Sequence, residues 1–354
     1  MPLLGHMKKQ REIKLSMLGY RALSSAQFFI LISLAAICTT TIFASLSFGG
    51  FKLTLSEALS GNLSELQERI FFEIRMPRVL LAIIVGASLG FSGAALQGLF
   101  RNPLADPGLI GVSAGAALGA VVGIVLFSGS SLAGLLGIYF LPVFAMTGAL
   151  IVIMLLISLS QGSGAADLTY LLLLGIAINS LATVGIGFLT FVSDDSQLRG
   201  LTFWMMGSFG AASSEAIWWV FLLACISGGV IISFSRQLDI LQLGPAEASR
   251  IGVDNRKINL LVVVLTALII GAGVAFAGII GFIGLIVPHI VRLLGGAQHL
   301  YVLSGSALLG AVLALFADTV ARVALLPAEI PVGLVTSAIG APIFLAIVIR
   351  VRKR

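Results

Sequence analysis

Residues 107–166 read PGLIGVSAGAALGAVVGIVLFSGSSLAGLLGIYFLPVFAMTGALIVIMLLISLSQGSGAA, sixty positions without one Asp, Glu, Lys, Arg or His. A helix rises about 1.5 Å per residue, so roughly 20 apolar residues cross the hydrocarbon core of a bilayer. Sixty are too many for one crossing, and Ser128-Gly129-Ser130-Ser131 supplies a natural break. The stretch therefore reads as two crossings, and the fold as a bundle of membrane helices. Composition agrees: 58% of the 354 residues are hydrophobic and 10% charged, with a mean hydropathy of +1.12. Soluble chains carry about 25% charged residues. A water-soluble enzyme and a disordered binder are excluded, and no nucleic-acid partner is expected.

Working outward, residues 22–51 hold a first span, 79–100 a second, 168–193 a fifth and 216–235 a sixth. Between 258 and 317 the only formal charge is Arg292, and glycines near Gly278 and Gly295 divide that stretch into three. Its middle piece, 281–294, is short for a crossing. Residues 330–349 make the last span. The total is ten if the short piece crosses and nine if it is re-entrant.

Charge placement selects ten. With the basic N-terminal tail inside, 15 of the 21 Lys and Arg fall on the cytoplasmic side, leaving Lys52, Arg69, Arg75, Arg78, Arg199 and Arg322 outside. An even count satisfies the positive-inside tendency at both termini at once. The net charge of +6 thereby divides into +9 inside and −3 outside. Residues 1–26 are read as a cytoplasmic basic tail, with no signal-peptide cleavage pattern. Residues 27–354 form a single ten-helix membrane domain with a cytoplasmic loop at 236–257.

Lipid removes most of the hydrophobic drive for helix association, so close backbone approach must replace it. Gly111, Gly115, Gly119 and Gly123 recur every four residues in the third span, and Gly86 and Gly90 repeat the device in the second. Cys38 and Cys225 lie in apolar stretches and read as packing residues, with no metal or disulfide role. Met205 and Met206 read likewise as core filling.

Several polar features stand out against this background. Arg75-Met76-Pro77-Arg78 precedes the second span; such arginines either snorkel to lipid headgroups or dock acidic residues of a soluble partner. The loop 101–108 reads as a rigid turn with an Arg101–Asp106 pair. In the loop 236–257, Pro245 opens a short helix, Glu247 lies in its first turn and Gly252 caps its end. That helix either lies on lipid or seats in a cytoplasmic protein. Asp318 and Arg322 have the favourable acid-first i,i+4 spacing. His289 reads as a hydrogen-bonded packing residue ahead of a proton relay. Asn179 and Thr183, one turn apart, either line a path or bond a neighbouring helix. None of the six lysines follows a glycine, so no GxxxxGK[ST] phosphate loop exists and any ATPase is another chain.

The motifs RMPR, SGAALQGLF, RNPLADPGLIGVSAGAALGA, LRGLTFWMMGSFG, LGPAEASRIGV, GIIGFIGLIVPHIVRLLG, ADTVAR and AEIPVGLVTSAIGAPIF extend in order over nearly the whole chain. In them the sequence resembles the FecCD family, the permease subunits of bacterial ABC importers for iron chelates, haem and vitamin B12. The resemblance implies an all-α type II ABC importer permease fold, with ten transmembrane helices, an inverted repeat of helices two to five and seven to ten, and both termini cytoplasmic. It implies inner-membrane localisation and four kinds of partner: a second copy of the chain, two cytoplasmic ABC ATPase subunits that bind ATP and Mg, a periplasmic substrate-binding protein, and the bilayer. No cofactor or metal belongs to the chain itself.

The resemblance also implies roles. Arg75, Arg78 and Arg322 match arginines that meet acidic residues on the binding protein. Leu243, Gly244, Pro245, Glu247, Ala248, Arg250 and Gly252 match the segment that couples to the ATPase. The family has acids straight after its Leu-Gly, whereas here Pro245 and Ala246 follow and Glu247 is the nearest acid. Leu168 and Thr169 fall at the gate, with Asn179 and Thr183 on the pathway helix. The LTFWMMGS and PAEIPVG stretches resemble haem permeases more than siderophore permeases. The expectation is an ATP-driven importer of haem, with a ferric siderophore or cobalamin as the alternative cargo. An ion-coupled secondary transporter would need intramembrane acids or histidines along a path, and only Asp318 and His289 qualify. A membrane enzyme would need a convergent nucleophile, base or metal site, and none is present.

Overall fold

In a computed structural model, residues 23–49, 51, 63–160 and 168–352 are described. Most of the basic tail, residues 1–22, lies outside the described residues. Among those described there is no strand. The longer helices among the described residues are, in chain order, α1 Ser25–Ser47, α2 Glu65–Leu99, α3 Val112–Phe127, α4 Phe140–Ser160, α5 Leu168–Val192, α6 Ser214–Ser233, α7 Asn255–Ala277, α8 Ile283–Gly295, α9 His299–Val323 and α10 Val332–Arg352, with shorter ones such as Asp195–Met205 between them. Six candidate spans are long and apolar enough to cross a bilayer; α1, α2, α5, α7 and α9 are five of them, and the sixth joins Ser131–Leu136 to α4. A seventh forms if α6 and Ser235–Leu241, bent by 52°, act as one. The shorter α3, α8 and α10 are also apolar.

The break expected near residues 128–131 is present, between α3 and the short helix Ser131–Leu136. The start of α2 differs from the expected one. Counting charge-free residues put it at Val79, yet the helix begins at Glu65, behind an N-terminal capping box in which Ser64 and Gln67 exchange side-chain and backbone bonds. Charge marked this segment as loop, but a helix can continue beyond the hydrocarbon and carry charges there. Its backbone loosens into a π-helical stretch at Ile70–Arg75 before resuming.

The glycine faces are the contact surfaces. A Cβ on Gly90 would lie 2.1 Å from the Ser306 carbonyl oxygen of α9, and one on Gly119 2.2 Å from the Phe144 carbonyl oxygen of α4. Only glycine allows these approaches. The α2 helix, buried along most of its length, packs against α7, α8 and α9 at the centre of the bundle. The thirteen residues of α8 rise about 20 Å, less than a full hydrocarbon core. It starts after Gly278 (φ +69°) and Phe282 (φ +67°), which turn the chain back into the bundle. The start of α10 is pinned by N–H bonds from Val332 to the Gly207 carbonyl and from Gly333 to the Met206 carbonyl.

Candidate functional site

The arginines singled out from the sequence gather where the π-helical stretch of α2 gives way to regular helix and where α9 ends. Arg78 Nε donates to Asp318 Oδ1 at 2.8 Å, and Arg78 Nη1 donates to Glu329 Oε2 at 2.8 Å. Arg322 Nε pairs with Asp318 Oδ2 at 3.0 Å, so the i,i+4 pair forms. Arg322 Nη2 also donates to the Ser45 carbonyl (3.0 Å) and hydroxyl (2.8 Å), and Nη1 to the Phe48 carbonyl (3.2 Å). Arg75 Nη1 donates to the carbonyls of Leu46 and Ser47 and Nη2 to that of Phe51. The last carbonyls of a helix lack intrahelical donors and carry the negative end of its dipole. Two guanidiniums therefore complete the C-terminus of α1.

Arg75, Arg78 and Arg322 are 5–6% exposed and Asp318 is 0% exposed. In the isolated chain they are buried groups with internal partners, not free surface cations. Among the described residues Arg78 and Arg322 share the carboxylates of Asp318 and Glu329, and Arg75 bonds only backbone carbonyls, so its charge has no carboxylate partner. Sequence reasoning missed Glu329, which lies 251 positions from Arg78. It also missed the α1 carbonyls, because a backbone acceptor has no residue signature.

On the opposite face the loop folds as expected. Gly244 (φ +111°) turns the chain into the helix Pro245–Arg250. Gly252 (φ +94°) closes it: its N–H bonds the Ser249 carbonyl and the Val253 N–H bonds the Ala248 carbonyl, the paired bonds of a Schellman cap. Leu243 is 66% exposed, and Glu247 and Arg250 form an exposed ion pair at 2.6 Å. Ala248 is fully buried, so it holds the loop from within and presents no surface. Asn255 Nδ2 bonds the Pro245 carbonyl at 2.7 Å. Asp254 accepts the Lys257 N–H at the start of α7, and that bond holds its carboxyl below the usual range.

Along α5, Asn179 Nδ2 donates to the Gly108 carbonyl at 3.0 Å, tying the helix to the turn Pro107–Ile110. Thr183 is exposed and bonds the Asn179 carbonyl within its own helix. Leu168, partly buried, and Thr169, exposed, stand at the start of α5. The rest of the helix exposes a broad apolar face, with Phe191 86% exposed.

Two smaller expectations change. Asp106 does not pair with Arg101; it accepts the Gly108 N–H at 2.7 Å, and burial raises its pKa above the ordinary carboxylate value. His289 makes no hydrogen bond among the described residues, and the bonded histidine is His299, held by Asp239. No cluster of three metal-ligating side chains occurs among the described residues.

These features define a multi-pass helical membrane protein with a charged cluster at one end of its bundle and a capped loop at the other. Residues 36–350 match the FecCD transport family, and the chain belongs to it. It is 45% identical over 317 residues to the hemin transport system permease protein HmuU of Yersinia pestis, covering 88% of this chain and 92% of that protein. It is 38% identical over 286 residues to the vitamin B12 import system permease protein BtuC of Citrobacter koseri, covering 81% and 84%. A solved inward-facing structure of a metal-chelate type ABC transporter superposes with a TM-score of 0.81 at 34% identity, over 91% of this chain and 99% of that one. The family is a transport family, and the chain is its membrane component rather than an enzyme.

Proposed function

We propose that the chain is the permease subunit of an ATP-driven importer that carries haem or another iron complex across the bacterial inner membrane by alternating access. The observation that carries this reading is the likeness to a hemin permease over 88% of the chain. The vitamin B12 permease likeness supports cobalamin as the second cargo, with a ferric siderophore as a further member of the same class. In this reading all ten helices cross, both termini are cytoplasmic, and two copies pair along the apolar face that α5 leaves open.

The periplasmic binding protein docks at the rim formed by Arg75, Arg78 and Arg322. The Arg75 charge, which has no carboxylate partner among the described residues, suits an acidic partner, whose carboxylate exchanges with the half-exposed Glu329 on Arg78. Two cytoplasmic ATPase subunits, which bind ATP and Mg, seat the loop 243–252 through the exposed Leu243, Glu247 and Arg250, with Gly244, Pro245, Ala248 and Gly252 shaping it. Leu168 and Thr169 form the gate at the foot of α5, and Asn179 and Thr183 lie beside the path. Ion coupling is disfavoured because Asp318, one of the two intramembrane candidates, is fully buried against two guanidiniums and lines no path.

Native mass spectrometry of the permease coexpressed with its ATPase tests the assembly, and two copies of each are expected. Titration of the binding protein with hemin and with cobalamin tests the cargo. A permease that purifies without any ATPase contradicts the reading.

A further inference from the structure

The helices α2 and α9 touch backbone to backbone along the middle of the bundle. A Cβ on Gly86 would stand 2.5 Å from the Gly310 carbonyl oxygen, and one on Gly310 2.3 Å from that of Gly86. Surfaces this close cannot slide without lifting one carbonyl ridge over the other. The pair is also tied across its outer end, where Arg78 of α2 holds Asp318 of α9.

The inner end is tied to the loop. Asp239 Oδ1 lies 2.6 Å from His299 Nδ1 and accepts the His299 backbone N–H at 2.9 Å, so one carboxylate grips both the ring and the first amide of α9. The His299 side chain is 6% exposed and wedged against α2, where a Cβ on Gly98 would fall 2.1 Å from Nε2. The Gly98 carbonyl in turn accepts Gln242 Nε2 at 2.7 Å. Asp239 belongs to the helix Ser235–Leu241, and Gln242 follows it, three residues before Pro245. Neither the outer cluster nor the exposed edge of the loop needs any of these three side chains.

From this geometry we infer that the welded α2–α9 pair is a rigid strut carrying displacement between the loop and the outer charged cluster, and that Asp239, Gln242 and His299 are positioning residues clamping the loop to its inner end. The inference rests on the importer reading, in which those two ends meet the ATPase and the binding protein. The 25 residues of α9 span about 37 Å, enough to join sites on opposite faces of a bilayer. Coupling of this kind is reciprocal for binding, so nucleotide changes binding-protein affinity by the same factor as the binding protein changes nucleotide affinity. Loosening the clamp removes the link in both directions while leaving both contact surfaces in place.

The test uses the complete complex of permease, ATPase and binding protein in proteoliposomes. ATP hydrolysis is measured with and without hemin-loaded binding protein, alongside binding-protein affinity with and without nucleotide. For Asp239→Asn and His299→Gln the complex stays assembled and basal hydrolysis stays within about twofold, while stimulation by the binding protein and the effect of nucleotide on its affinity fall at least about fivefold. Asp239→Glu, which keeps the carboxylate, retains more of both. Variants that keep wild-type stimulation in an intact complex overturn the strut alone. A wild-type complex that hydrolyses no ATP and ignores the binding protein overturns the importer reading and the strut with it. If His299→Gln fails to assemble, the comparison of Asp239→Asn with Asp239→Glu decides.

Discussion

Asp318 stands between the guanidiniums of Arg78 and Arg322 with no exposed surface. Removing one partner from a buried ionic group leaves charge without compensation, which costs about 3–5 kcal/mol. Asp318→Asn is therefore expected to lower the thermal unfolding midpoint of the detergent-purified permease sharply, whereas Glu329→Gln, at a half-exposed carboxylate, lowers it little. Asp254 gives a prediction in pH. Its pKa is depressed by the Lys257 N–H bond, so its contribution is present above the unfolded value of about 3.9 and is lost as pH falls through the lower folded value. Hydrogen exchange at the Lys257 amide should stay slow down to about pH 4 and speed up below it, after correction for intrinsic rates. The i,i+4 spacing made the Asp318–Arg322 pair legible in the sequence. Arg78–Glu329 and Asp239–His299 were not legible, because their partners meet only when α2, α9 and the loop pack together.

At the scale of elements, the four-residue glycine spacing announced the packing faces of α2 and α3, since only missing Cβ atoms let carbonyls touch helices. Gly90→Ala places a Cβ against a backbone carbonyl that has no freedom to turn, and it should destabilise the permease by about 1–3 kcal/mol in a thermal or denaturant assay. Gly228→Ala in α6 is the control: its Cβ would meet nothing closer than 3.9 Å, and the gain in helix propensity should stabilise it by up to about 1 kcal/mol. The loop predicts a further contrast. Leu243→Asp alters an exposed contact and should reduce copurification of the ATPase with the permease fold intact. Ala248→Arg forces bulk into a buried position and should disorder the loop itself, seen as faster amide exchange at Val253. The capped loop was readable from Pro245 and Gly252. The early start of α2 was not, because charge-free counting equates a helix with its apolar part.

For the whole molecule, sorting charges by side was more informative than summing them. It separated a basic loop face from an outer face on which three of the six cations, Arg75, Arg78 and Arg322, proved to be buried structural groups. It showed neither cargo nor partner, because a chain that makes no covalent change in its cargo needs few diagnostic side chains. The family match over residues 36–350 supplies the transport class, and the burial of Asp318 against two guanidiniums removes one of the two candidate residues for ion coupling. Hemin uptake into proteoliposomes holding the permease and its ATPase, with the binding protein supplied on the opposite face, tests this most directly. Uptake should require both ATP and the binding protein and should survive ionophores that collapse ion gradients. Hemin accumulation driven by an ion gradient in vesicles containing the permease alone would contradict the account.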